Sequence, residues 1–388
     1  MKEFYADLHI HIGRTASGRA VKITGSKTLT LARILETASA RKGLDIIGII
    51  DCHSPEVIEE MSELLAQGEL KELEGGGLRF QETTLIPGSE IEIYDQFCHG
   101  PIHVLAYFPT LLLMKQFSNW MAQHMKNIHL SSQRIYCDGR TLQQKVYELG
   151  GLFIPAHVFT PFKSLFGKGV QRSLTEVFDP KMIDAIELGL SSDTMMVNQI
   201  KELQAYTFVS NSDAHSLGKI AREYQKLRLA AANFTELKKA LHEQQGRAVL
   251  ANYGLNPLLG KYHQTVCAKC GEQLDNLATH CTNCGSTQII KGVATRIQEL
   301  SEDLLNTRYR PPYIHQVPLD FIPGIGPKML ERLLQAFGTE MNILHNVTLE
   351  QLEQIVPSKI ATFIDQARTG QLAIAVGGGG IYGKIQAD

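Results

Sequence analysis

Asp7-Leu8-His9-Ile10-His11 closes the first apolar run of the chain, and three later stretches repeat its pattern: Asp51-Cys52-His53, Glu90-Ile91-Glu92 and Asp213-Ala214-His215. In a strand, residues i and i+2 share a face, so each pair aims at one place. His103, inside the apolar run 102–108, and His157, after Leu152-Phe153-Ile154, add two imidazoles in similar positions. Imidazole and carboxylate are the donors from which zinc, manganese and iron sites are made. One His-x-His is weak on its own, because a histidine near a core is more often hydrogen-bonded structure than a ligand. Six strand ends with the same chemistry point instead to a multinuclear metal centre.

Outward from these motifs, residues 1–250 alternate apolar runs with amphipathic helical stretches. Strands are expected over 4–9, 46–50, 84–87, 103–107, 152–155, 185–188 and 207–210, with helices over 29–41, 57–67, 142–149, 198–204 and 234–244. Such alternation fits a parallel α/β barrel or a doubly wound sheet. The candidate ligands sit mostly at the carboxyl ends of strands, where α/β barrels build their sites. Convergence from six strands needs a closed ring more than an open sheet, so the expected fold class is α/β, a distorted barrel of about seven strands.

Beyond residue 250 the pattern changes. A turn-rich exit at 252–257 leads into Cys267-Ala-Lys-Cys270, ten further residues and Cys281-Thr-Asn-Cys284. This is the spacing of a four-thiolate structural zinc site, which leaves no open position for catalysis. The expected boundaries are 1–250 for the barrel, 251–292 for the zinc module and 293–388 for a helical region. Within that last region, Phe321-Ile322-Pro323-Gly324-Ile325-Gly326-Pro327-Lys328 before an amphipathic stretch is similar to a helix-hairpin-helix motif. Gly324 and Gly326 allow a tight turn, Pro327 suits a first helical position, and exposed N–H groups beside Lys328 can grip a phosphate. Such a grip positions DNA without reading its bases. The Gly377-Gly-Gly-Gly380-Ile-Tyr-Gly383 tail is too glycine-rich for a helix.

The 388 residues leave room for a large core, and their net charge of −2 excludes a global attraction to nucleic acid; any DNA contact must come from local patches. No apolar run of about 18 residues and no signal-peptide pattern is present, so a cytoplasmic protein with no membrane partner is expected. Seven cysteines, four of them in two Cys-x-x-Cys pairs, argue against a disulfide framework.

The His9-x-His11 opening, Asp51-x-His53, Pro87-Gly88-Ser89-Glu90, His103, His157 and Ser212-Asp213-Ala214-His215 together resemble the PHP superfamily of metal-dependent phosphoesterases. The resemblance implies a distorted seven-stranded β/α barrel with up to three metals. One would be held by His9, His11, Glu90 and Asp213, and Glu90 would bridge to a second on His103 and His157. A third would use His53 and His215, with Asp51 beside them. The chain departs from the family pattern at that third site. Ser17 stands where many members place another histidine, and Asp51-Cys52-His53 replaces the usual Asp-His dipeptide. Two or three divalent ions are expected, zinc first and manganese or magnesium otherwise. Paired ions about 3.5–4 Å apart suit phosphoester hydrolysis, and Glu90, Asp213, His9 and His11 are the expected catalytic set.

The whole-chain order of barrel, four-cysteine module and hairpin-like helices is similar to the endonuclease Q family of DNA repair enzymes. That resemblance implies cleavage 5′ to deaminated bases (uracil, hypoxanthine, xanthine) or abasic sites in double- or single-stranded DNA. Nothing in the sequence demands more than a monomer, which is the expected state, and a replication or repair protein is the expected kind of protein partner. Lys163, Lys168 and Arg172, in the loop after His157, are expected to touch DNA, and residues 159–172 to form the lesion pocket. Glu187 and Asp193 are read either as supports for the ligands or as helix caps. A PHP-type phosphatase would explain the barrel but leave the zinc module and hairpin without a role, and a PHP nuclease without lesion specificity is the other alternative.

Overall fold

In the computed structural model, each of the seven apolar runs becomes a strand: β1 (Lys2–Ile10), β2 (Ile46–Ile49), β3 (Thr83–Ile93), β4 (Ile102–Tyr107), β5 (Leu152–Pro155), β6 (Ile186–Glu187) and β7 (Phe208–Val209). The structure describes residues 1–260, 262–275, 278–305 and 307–372, and the backbone of two short paired strands, Ile374–Ala375 and Lys384–Ile385. The glycine-rich stretch 377–383 lies outside the described residues.

Side-chain alternation sorts these strands into an inside and an outside. Leu8, Ile46, Ile86, Leu105, Tyr107, Ile154 and Val209 meet in one buried cluster within the ring. Ile47, Ile49, Leu85, Val104 and Ala106, one position over, join the helices in the outer core. Truncating an interior side chain such as Ile154 to alanine should cost about 2–5 kcal/mol. Tyr107 spans the interior beneath the rim, and two glycines make room for it. A Cβ on Gly48 would lie 2.4 Å from the Leu8 carbonyl oxygen, and one on Gly88 would lie 2.7 Å from the Tyr107 ring.

β1 pairs in parallel with β2, and β2 with β3, but β4 runs antiparallel to both β3 and β5. The all-parallel barrel that the alternation suggests is therefore corrected at β4. A short apolar run reads the same in either direction, and the connection from β3 to β4 is a hairpin with no crossover helix. The reversal matters for the site, because it brings His103, near the start of β4, to the rim that the other strands reach with their ends. β6 and β7 pair in parallel. The Asp184 N–H donates to the Phe153 carbonyl and the Ala214 N–H to the His9 carbonyl, both at 3.0 Å, which closes the ring.

The sheet also extends outward from β1 through β8 (Tyr224–Leu229) and β9 (Ala248–Gly254) to Tyr313–His315, which pairs with β9 beyond the residue-250 boundary. Val266–Cys267 and Ile289–Ile290 form the small hairpin of the cysteine module. Helix Val293–Leu300 comes next, and beyond Tyr313–His315 four more helices are described: Pro327–Phe337, Glu340–His345, Leu349–Glu353 and Ser358–Arg368; these four pack as the C-terminal unit. They dock on the barrel through a buried Lys42–Glu340 ion pair at 2.8 Å and a stack of His345 on Tyr5 with ring centroids 4.3 Å apart. Burial pushes His345 down to about 3, so this ring is neutral. Among the described residues, no helix is long and apolar enough to cross a membrane.

Candidate metal centre

The rim is built by a phase change in β1. Ala6 and Leu8 face the barrel interior, whereas Ile10 and Ile12 belong to the outer core. Between them the register against β2 shifts, with Asp7 opposite Ile47 and Ile10 opposite Ile49. The extra residue of this bulge swings His9 and His11 inward above Leu8, the kind of re-aiming that bulges produce near active sites. Glu90 and His103 continue the interior faces of β3 and β4 upward. His157 and Asp213 follow β5 and β7 and have φ of 30° and 45°. Non-glycine residues seldom adopt that left-handed conformation, and it clusters at functional sites.

The donors converge. His9 Nε2 lies 3.5 Å from both Glu90 Oε1 and Asp213 Oδ1, and His11 Nε2 lies 3.3 Å from Asp213 Oδ1 and 3.7 Å from Glu90 Oε2. His103 Nδ1 and His157 Nε2 approach Glu90 Oε1 at 2.9 and 3.4 Å. Donor atoms of His9, His11 and Glu90 lie within 4.8 Å of one another, as do those of Glu90, His103 and His157, and those of His11, Asp213 and His215. Burial works against the Glu90 charge, yet the charges of His103 and Lys22 hold its carboxyl well below the ordinary value.

The donor set fits divalent metal on a separate observation. His9 Nε2 and His11 Nε2 are fully buried and have no hydrogen-bond partner among the described residues. Their other nitrogens are taken: His9 Nδ1 lies 3.0 Å from Glu187 Oε1, and His11 Nδ1 lies 3.0 Å from Asp51 Oδ2. A carboxylate on one ring nitrogen fixes the tautomer and turns the other lone pair outward, the usual backing of a metal-binding histidine. Glu187 is itself held by the Asn211 side-chain amide at 2.7 Å and the His157 N–H at 2.8 Å.

Two expected ligands change place. Asp51 accepts from His11 and from the Ile12 N–H at 2.7 Å, so it supports a donor and is not grouped with them. His53 turns away: Nδ1 lies 2.9 Å from Ser89 Oγ and Nε2 3.2 Å from the Leu130 carbonyl oxygen, which leaves neither nitrogen for an ion. The i+2 spacing placed the Asp51 and His53 side chains near the rim but could not say which atoms their neighbours would occupy. Asp193, by contrast with Glu187, caps a short helix by accepting from the Met196 N–H.

Glu90, His103, His157, Asp213 and His215 floor a cavity of about 600 Å³. Its walls include Lys22, Ser132, Phe162, Lys163 and an apolar side of Leu190, Leu255, Leu259 and Tyr262. Of the expected pocket segment 159–172, Thr160, Phe162 and Lys163 reach the cavity. Lys163 pairs with Glu92 at 2.8 Å, Lys168 lies over the Phe162 ring by the cysteine module, and Arg172 is exposed away from the cavity lining. Leu255, Leu259 and Tyr262 carried no chemical signal in the sequence, since apolar linker residues look alike wherever they point.

The four cysteine sulfurs of the module lie within 4.8 Å of one another. The Cys270 and Lys269 backbone amides draw the Cys267 thiol down to about 6, towards the thiolate that binds zinc. At the hairpin-like turn, Gly324, Gly326 and Lys328 are exposed while Ile322 and Ile325 are buried beneath them. Gly324 has φ of 88°, which a side chain would disfavour.

No family model matches the chain. An uncharacterised protein of Bacillus subtilis strain 168 is 60% identical over 386 residues, with both chains covered end to end. One from Methanocaldococcus jannaschii is 37% identical over 252 residues, which span 58% of this chain and 31% of that one. The crystal structure of a lesion-specific endonuclease of Pyrococcus furiosus superposes with a TM-score of 0.85 at 31% identity, covering 99% of this chain and 95% of that one. An endonuclease Q bound to a 27-mer duplex with an abasic lesion at its active site gives 0.83 at 30% identity, over 100% and 97% of the two chains. With near-complete coverage at this identity, and a rim of hydrolytic donors, the chain belongs to the endonuclease Q family of metal-dependent DNA repair nucleases.

Proposed function

We propose that this nuclease cuts a DNA strand on the 5′ side of a damaged nucleotide, a deaminated base (uracil, hypoxanthine or xanthine) or an abasic site. The observation that carries the reading is a cavity of nucleotide size, about 600 Å³, floored by carboxylates and imidazoles and walled on one side by apolar residues. In this reading His9, His11, Glu90 and Asp213 would hold one divalent ion, and Glu90 with His103 and His157 would hold a second. Bound there, divalent metal would supply an activated water and positive charge for the phosphate oxygens.

The chain's own residues do the rest. Glu187 and Asp51 keep protons on the Nδ1 atoms of His9 and His11, so that both Nε2 lone pairs face the centre. Lys163, on the cavity wall, offers charge to a phosphate next to the scissile one. A nucleotide turned out of the duplex rests against Leu190, Leu255, Leu259 and Tyr262. Extrusion costs less for a mismatched or missing base than for a paired one, which favours damaged sites. Gly324, Gly326 and Lys328 grip backbone phosphate elsewhere on the duplex, and the four cysteines hold a structural zinc.

The test is incubation of the purified protein with labelled duplexes carrying uracil, hypoxanthine or an abasic site, beside an undamaged control, with manganese or magnesium. An internal nick only in the damaged strands is expected. Stepwise loss from an end, or turnover only of a phosphomonoester, would replace the reading with an exonuclease or a phosphatase.

A further inference from the structure

We propose that Lys22 is a built-in cation of the rim, standing in for a third divalent ion and contacting a non-bridging oxygen of the scissile phosphate. The inference rests on the reading of the rim as a phosphodiester-cleaving centre. Lys22 Nζ lies 3.1 Å from Glu90 Oε2 and 2.5 Å from Ser132 Oγ, on a side chain only 14% exposed that lines the cavity. An ammonium has three N–H donors; two go to these oxygens, which leaves one for a ligand in the cavity that Lys22 lines.

Few donors are left over for a third ion. Ser17, where a further histidine is common in PHP proteins, is exposed. Both His53 nitrogens are engaged by Ser89 and Leu130. His11 belongs to two donor groups, one with His9 and Glu90 and one with Asp213 and His215. Its Nε2 lone pair serves one ion, so once His11 joins His9 and Glu90 the other group is left with Asp213 and His215. Two donors, one of them already shared, make a poor site.

Lys22 arrives at this position by backbone design. Its N–H donates to the Ile12 carbonyl at 2.8 Å, the Ser131 N–H to the Val21 carbonyl at 2.9 Å, and the Gly25 N–H to the Lys22 carbonyl at 2.9 Å. The loop is thus tied both to the end of β1 and to the segment that carries Ser132. A fixed ammonium aimed at the phosphoryl oxygens stabilises charge developing there without reorganising at the moment of reaction.

The experiment counts metal and rate together on the full-length protein, saturated with manganese and freed of excess. Elemental mass spectrometry should find two rim ions in the wild type, besides the cysteine-bound zinc. Lys22→Met should keep both ions and lower kcat for bis(4-nitrophenyl) phosphate about 100-fold, with KM little changed. Lys22→Arg should recover part of that loss. A third rim ion in the wild type would overturn the proposal, as would an unchanged kcat in Lys22→Met or a loss of rate that follows loss of an ion. If the small diester is hydrolysed with this Lys22 dependence while damaged duplexes stay intact, the lesion reading falls and the assignment of Lys22 stands.

Discussion

The barrel rim and the cysteine module both gather metal donors, and they do so in opposite ways. The rim draws His9, His11, Glu90, His103, His157 and Asp213 from five strands or their ends, far apart in sequence, and leaves Glu90, His103, His157 and Asp213 facing a cavity. The module draws four thiols from a segment that begins at Cys267 and ends at Cys284 and closes them on one another. A rim of the first kind exists only once the fold exists, so its donors can be preorganised, backed by Glu187 and Asp51, and left open to substrate. A knot of the second kind folds as it binds, so metal affinity is spent on stability. The difference teaches where to look for chemistry: donors that converge over long sequence separation and keep free lone pairs, rather than donors that spacing alone explains.

The sharpest way to break this comparison is to remove a rim donor. Asp213→Asn or His9→Ala should lower nicking of a damaged duplex by more than ~10³-fold, while duplex affinity by fluorescence anisotropy stays close to wild type. Retained nicking would show that the rim is misassigned. Next in size, Glu187→Gln leaves the donors in place but weakens the backing of His9. Manganese affinity of the rim, measured by competitive titration, should fall about 10–100-fold, with zinc in the module unmoved. Lys328→Glu should weaken duplex binding by roughly tenfold, the loss of one phosphate contact and the gain of a repulsive one, yet leave hydrolysis of a small diester alone. Equal losses on both substrates would argue against a DNA-gripping turn. Cys270→Ser should act on stability more than on rate: the zinc is lost and Tm falls by at least ~2 °C, while the small-diester rate changes less than about threefold. A collapse of that rate would erase the division of labour between the two sites.

Much of this architecture was legible in the residues. The seven barrel strands fall where apolar runs were found, because a strand buried on both faces must be apolar throughout. The long helix Leu111–Ala122, by contrast, went unread, as did the outer strands Tyr224–Leu229 and Ala248–Gly254. Tyr-Gln-Lys-Leu-Arg-Leu mixes charge with apolar residues and becomes a strand only because β1 offers an edge far away in sequence. At the rim, the i+2 motifs lie where the structure gathers candidate donor atoms, while Asp51 and His53 turn to other partners. Both sit within the right turn of chain, and their roles are decided by hydrogen bonds to His11, Ser89 and Leu130 that no local pattern encodes. Four basic residues follow the first strand, Arg14, Arg19, Lys22 and Lys27, and only the tied loop distinguishes Lys22 from the others.

The most direct test is anomalous diffraction at the manganese and zinc edges from crystals of the metal-loaded protein. The account predicts scattering between His9, His11, Glu90 and Asp213, a second peak between Glu90, His103 and His157, and one zinc among the four cysteines. A zinc peak in the cysteine module with no scattering at the rim would contradict it.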